Sequence, residues 1–177
     1  MQRKGLTYFP VVYRETDLYI GVDVRSFFPS LPEKVRQKIQ TLRHELDAYI
    51  EVQPAFLHSL APVPPLPGAP EIALTMARAA AAGEVGPMAA VAGAFAQAAG
   101  QYLCDDLHVQ ECIVENGGDI YLHTRRSARI GIYAGSSPLS AKLALRIAKS
   151  SMPLGVCTSA GTVGESLSLG KTDATVT

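Results

Sequence analysis

Five prolines between Pro62 and Pro70, in Pro62-Val63-Pro64-Pro65-Leu66-Pro67-Gly68-Ala69-Pro70, divide the chain. Proline lacks the amide donor that a helix needs, so no helix can run through this segment. It reads as an exposed connection. A docking segment for a polyproline-binding partner would have this composition too, but a stiff spacer needs no partner and is the reading kept.

Upstream of the break, Leu6 to Tyr13 and Asp17 to Asp23 are β-rich runs separated by Arg14-Glu15-Thr16, the length and polarity of a hairpin connection. Ser30 then offers a helix N-cap, with Pro32 and Glu33 in the first turn, and Val35, Ile39, Leu42, Leu46 and Ile50 recur at three and four residues. That spacing predicts an amphipathic helix of about five turns. Gln53 to Ala61 extends the helical region up to the prolines.

Downstream, Glu71 to Ala82 and Pro87 to Leu103 are alanine-rich, with small residues on most faces, so helices here can approach a sheet or one another closely. Gly83 and Gly86 are expected to separate them. The period then changes. Cys112-Ile113-Val114, Ile120-Tyr121-Leu122 and Arg129 to Tyr133 read as strands, with Gly117-Gly118 as a tight turn. Leu143 to Ala148 is a short apolar run without a decisive period, assigned here to a strand.

The expected architecture is therefore α+β: an opening β-hairpin and a sheet packed with helices, in one domain over residues 1–177. An apolar fraction of 47% with 18% charged residues is that of a globular chain. Sixteen Lys and Arg balance sixteen Asp and Glu, so no overall field favours nucleic acid or an anionic membrane. Cys104, Cys112 and Cys157 show no CxxC spacing, which argues against a disulfide framework or a structural zinc site. They read as thiols of a reducing compartment. Met1 to Gly5 leads into a tyrosine-rich strand pattern in place of an apolar signal core, and Arg78, Glu84 and Pro87 interrupt the apolar stretch from Ala73 to Gly100. The expectation is a cytoplasmic protein.

Two loops stand out as candidate ligand sites. In Glu115-Asn116-Gly117-Gly118-Asp119, the glycines permit positive φ and place no side chain before a ligand, while Asn116 and Asp119 are polar at the rim. A plain hairpin turn has the same signature. In Val156-Cys157-Thr158-Ser159-Ala160-Gly161-Thr162-Val163-Gly164, hydroxyls and glycines follow an apolar run, which suits a phosphate-gripping loop or a polar surface loop. Walker spacing is absent. His108 beside Asp105 and Asp106 supplies too few defined ligands for a metal and reads as a solvated turn. His123, four residues past Asp119, lies near the first loop in sequence, and Cys157 reads as a small packed residue.

Taken in order, Gly86-Pro87-Met88-Ala89-Ala90-Val91-Ala92-Gly93, then Glu115 to Ile120, then Gly155 to Gly164 with Ser166 to Lys171 behind it, give the chain its family likeness. It resembles the ApbE-like proteins, in a branch related to the bacterial FAD:protein FMN transferases. The resemblance implies an ApbE-type fold with a flavin, FAD or FMN, lying across these segments. Asn116, Gly117, Gly118 and Asp119 would line the flavin and phosphate site together with Thr158, Ser159, Ala160 and Gly161, and Ala89, Ala90 and Gly93 would lie beside it.

The transferases use magnesium to move FMN from FAD to a threonine or serine of an acceptor protein. They carry a Ser-His-Ile type motif after the Thr-Ser-Gly loop, whereas Ser166 to Lys171 contains no histidine. They also carry an Ala-Asp-Ala segment with a following threonine that does not appear before Thr177, either because the chain is truncated or because it never had one. Two readings follow: a flavin- or nucleotide-binding protein with transferase or hydrolase activity on the bound dinucleotide, or a non-catalytic binding or scaffold protein that kept the fold. A small-residue helix face or an unpaired hairpin edge could also be buried against a second copy, making a homodimer a further expectation.

Overall fold

The computed structural model describes residues 4–132, 138, 140, 142–159 and 174–177. Strands β1 (Leu6–Tyr13) and β2 (Thr16–Asp23) form the expected opening hairpin. Its connection is shorter than the three residues read from the sequence. Tyr13 pairs with Thr16, leaving Arg14 and Glu15 as a two-residue turn with Arg14 at φ 52°. Thr16 joins the strand because it falls on the inward face with Leu18, Ile20 and Val22, all buried. Pro10 lies in β1, which is the sheet edge, where a missing amide costs no ladder bond.

Helix α1 (Leu31–Val52) is longer than the periodicity predicts, and its apolar stripe of Leu31, Val35, Ile39, Leu42, Leu46 and Tyr49 is buried. Each such side chain contributes about 1.5–3 kcal/mol when removed from water, offset in part by ordering entropy. Ser30 stands at the N-cap position, but its side chain makes no capping bond. Only its carbonyl accepts, from the Lys34 amide at 3.1 Å, while Pro32 carries the helix start by its fixed φ. Pro54 stops α1 from continuing, and the region beyond is one short turn, α2 (Ala55–His58). The proline connection is fastened to α1: Gln53 Nε2 donates to the Pro64 carbonyl at 3.0 Å and the Leu66 amide donates to the Tyr49 hydroxyl at 3.0 Å.

Helix α3 (Glu71–Gly83) stops differently from the expectation. Gly83 remains helical and Glu84 adopts the left-handed conformation at φ 54°, its amide and that of Val85 bonding back to the last turn. The segment expected as one helix from Pro87 is a 3₁₀ turn (Pro87–Ala90), then α4 (Val91–Gln101), then a wider π turn (Tyr102–Asp106). Strands β3 (Cys112–Asn116) and β4 (Asp119–His123) follow as a hairpin, then β5 (Ala128–Gly131), β6 (Ala144–Ile147), β7 (Leu154–Ser159) and β8 (Ala174–Val176). The strand reading of the ambiguous apolar run holds for Ala144–Ile147. Tyr133 lies outside the described residues.

The main sheet has the order β1-β2-β3-β4-β7-β8 with antiparallel neighbours, and β5-β6 form a separate two-stranded ribbon. Register places Phe9, Val11, Leu18, Ile20, Val22, Cys112, Val114 and Tyr121 on one face, in the same core as α1, α3 and α4. Leu122 and Val156 face the other way and share a smaller core with Ala128 and Ile147 of the ribbon. The fold is thus α+β, with helices on one face of an antiparallel sheet.

No single helix among the described residues is long and apolar enough to cross a membrane. Only α3 with Pro87–Asp106 passes a length and composition test, as a pair bent by 105°. Both members contribute buried residues to the core described above.

Candidate functional site

The Asn116–Asp119 segment is a hairpin turn. Asn116 pairs with Asp119, and Gly117 and Gly118 have φ of 58° and 99°, a combination that glycine adopts without the cost a Cβ imposes. The Gly118 amide donates to Glu115 Oε1 at 2.8 Å. The turn is also docked on a helix. Asn116, 8% exposed, donates from Nδ2 to the Ala92 carbonyl at 2.9 Å, and the Asp119 carboxylate accepts from the Gly93 amide. Gly93 allows this approach, since a Cβ there would lie 3.3 Å from Asp119 Oδ2. The turn therefore closes over the first turn of α4, where unpaired amides favour an acceptor.

Burial raises the Asp119 carboxyl above the ordinary value; the Gly93 amide opposes that shift and the Glu115 charge adds to it. On β7, Val156 pairs with Ile120, so Cys157 comes next toward the turn. Alternation puts Cys157 on the face of Asp119 and Thr158 on the opposite one. Cys157 is exposed, which corrects the expectation of a packed residue. Desolvation and the charge of Asp119 both raise its thiol, so the thiolate a nucleophile needs is disfavoured.

Thr158 and Ser159, expected in a loop, end strand β7 and pair with Thr175 and Ala174. Hydrogen-bonding to β8 makes them ladder residues. Ala160, Gly161 and Ser166 to Lys171 lie outside the described residues. Ala89 and Ala90 belong to the 3₁₀ turn that leads into α4. The structure thus groups Ala89, Ala90, Gly93, Asn116, Gly117, Gly118 and Asp119 around one helix start, with Thr158 two residues past the β4 partner.

Beside this junction is a cavity of about 330 Å³ lined by Glu15, Thr16, Arg43, Met88, Val91, Ala92, Phe95 and Asn116. Met88, Val91 and Phe95 give it apolar walls. Asn116 and Thr16, both buried, give it an amide and a hydroxyl. The Arg43 guanidinium stands 5.8 Å from the Phe95 ring centre and is ion-paired with Glu15, and its Nε is buried with no hydrogen-bond partner. Sequence reasoning overlooked Thr16 and Arg43. The available signals were a polar residue on the buried face of β2 and an arginine next to Leu42 and four residues from Ile39, at the border of the α1 stripe.

A larger cleft of about 530 Å³ runs between α1, α3 and α4 and includes Lys38, Glu45, Glu71, Arg78, Asp105 and Asp106. Its charges are mixed, and Glu71 and Arg78 form an exposed ion pair that contributes little. The smaller cavity is the better candidate because buried polar groups converge on it. His108, at φ 57°, stands at the end of the π turn. His123 pairs with Cys112 at the end of the β3–β4 hairpin farthest from the turn, and is therefore remote from Asp119. Among the described residues no group of three or more His, Cys, Asp and Glu is placed to hold a metal.

An α+β domain with an Asn-Gly-Gly-Asp hairpin closing over a small-residue helix defines the class. The chain belongs to the family whose model is described as AbpE bacteria, which matches residues 1–177. A UPF0280 protein of Methanocaldococcus jannaschii is 40% identical over 166 residues, covering 93% of this chain and 65% of that protein. One from Methanopyrus kandleri is 42% identical over 165 residues (93% and 64%) and one from Methanospirillum hungatei 45% over 141 (80% and 57%). The chain spans 57–65% of the length of these relatives.

Proposed function

We propose that the chain is the flavin- or nucleotide-binding part of an ApbE-like protein, with the ring of FMN or FAD in the cavity beside Asn116. The observation that carries this reading is the docking of the Asn116–Asp119 turn on the first turn of α4 at that cavity. Apolar walls at Met88, Val91 and Phe95 suit a flat heteroaromatic ring, and the fixed Asn116 amide and the Thr16 hydroxyl suit its polar edge. A volume near the lower end of the roughly 300–1,000 Å³ typical of ligand sites suits one ring system more than a whole dinucleotide. Similarity to the transferases in the three segments supports a flavin over other nucleotides.

Titration of FMN and FAD, followed by flavin fluorescence, tests the reading. Saturable binding is expected, weakened about tenfold by Asn116→Ala, which removes one buried hydrogen bond worth about 1–1.5 kcal/mol. A variant with unchanged affinity for either flavin, or a wild-type chain that binds neither, would sink it.

The second reading is a binding or scaffold protein without FMN transfer. One observation favours it: the Asp119 carboxylate, partly buried and held by the Gly93 amide, serves as a latch between turn and helix. Flavin bound without AMP release from FAD in the presence of Mg²⁺ would support this second reading, whereas release together with a labelled acceptor would support transfer. The homodimer is proposed through edge strand β1, where Val12 is 56% exposed. A monomer mass at micromolar concentration would remove that proposal.

A further inference from the structure

We infer that Cys104 and Cys112 are a dithiol–disulfide couple that staples the far end of α4 to strand β3. Their Sγ atoms lie 3.5 Å apart, although eight residues separate them and no short cysteine motif marks them. The fold creates the juxtaposition. The π turn at Tyr102–Asp106 carries Cys104 past the end of α4, and the chain then returns into β3 at Cys112. Cys112 sits under the helix, fully buried, with its Sγ 3.8 Å from the Gly100 carbonyl. Cys104 is only partly buried.

This difference in exposure fixes the order of events. A small disulfide from solution can reach Cys104 but not Cys112. The Cys104 thiolate attacks one sulfur of that disulfide, the old S–S bond breaks, and one small thiol leaves. Cys112 then loses its proton and attacks Cys104 Sγ, forming the internal S–S bond and releasing the second small thiol. Two cysteine thiols are oxidised and one small disulfide is reduced to two thiols, which carry away the two protons. The acidities run the same way. The hydrogen bond with Cys112 lowers the Cys104 thiol against burial and the Asp105 charge, and the same bond and burial raise Cys112 well above the ordinary value. Cys104 is thus the attacking group and Cys112 the resolving one.

The two ends of α4 are then held against the same hairpin by different means: Asn116 and Asp119 at the start, the sulfur pair at the finish. The inference does not depend on the flavin reading.

The test uses the whole chain in a Cys157→Ser background, reduced and then equilibrated with glutathione at increasing proportions of its disulfide. Free thiols are counted by alkylation and located by peptide mass mapping. Loss of both thiols together, with no retained glutathione and a Cys104–Cys112 linked peptide, is expected, along with a melting temperature higher by roughly 5–10 °C for closing so short a loop. Adding Cys112→Ala should trap glutathione on Cys104, and Cys104→Ser should leave Cys112 unmodified. Two persistent thiols, or a glutathione adduct on Cys104 that never resolves while Cys112 is intact, would overturn the inference.

Discussion

Gly86, just before the 3₁₀ entry to α4, and Gly100, inside the last turn of α4, are glycines for a reason opposite to that of Gly117 and Gly118 in the facing turn. A Cβ at Gly86 would lie 1.8 Å from the Ser59 carbonyl oxygen, and one at Gly100 would lie 2.1 Å from Tyr121 Cδ1. Around Gly117 and Gly118 nothing stands within 4 Å of that position, and φ alone demands glycine. In the first region glycine is a spacing device that lets backbone meet backbone and ring. In the second it is a conformational device. Packing accounts for Gly86 and backbone conformation for the turn glycines, so none of the three is a direct sign of a ligand.

Gly86→Ala should break the comparison most severely. The obstructing atom is backbone, so the chain must shift, and a loss of about 3 kcal/mol or more is expected from the midpoint of urea unfolding. A loss below about 1 kcal/mol would mean that the contact with Ser59 yields freely. Gly118→Ala keeps all its space and pays only for its left-handed backbone, about 1–2 kcal/mol. If it cost as much as Gly86→Ala, the turn would be a packing site too.

Asp119→Asn should have the smallest effect, and one that varies with pH. Because burial raises the folded carboxyl above its ordinary value of 3.8, the native state keeps its proton where the unfolded chain has lost it. Ionisation of Asp119 thus opposes folding: its protonated contribution is full at low pH and is lost as pH rises through the raised value. The stability of wild type relative to Asp119→Asn should therefore fall across that interval and then level off. A flat difference curve, measured by urea unfolding at stepped pH, would show that the Gly93 amide fully offsets the burial.

Local chemistry explains what could be read in advance. The α1 stripe, the opening hairpin and the Gly117-Gly118 turn each depend on residues within a few positions of one another. The proline run depends on its own missing amides. What escaped reading depends on partners far along the chain. Glu84 takes over the stop of α3 although two glycines stand nearby, and Thr158 becomes a ladder residue only because β8 pairs with it. Arg43 and Thr16 reach the cavity through the packing of α1 against the hairpin, and the approach of Cys104 to Cys112 needs the π turn. The candidate site was therefore half legible: the turn and the start of α4, with Met88 and Val91 of the cavity wall, by motif, and Thr16, Arg43 and Phe95 by none.

Strand β4 belongs to both cores at once, with Tyr121 facing the helices and Leu122 facing the ribbon. It is a party wall between two rooms. Because side chains alternate at every residue, a slip of one position would expel Tyr121 from one core and Leu122 from the other together. The faithful alignment of the Asn116–Asp119 turn over α4 is thus guarded from both sides, and the small ribbon of β5 and β6, packed on the sheet face opposite the helices, acts as its proofreader.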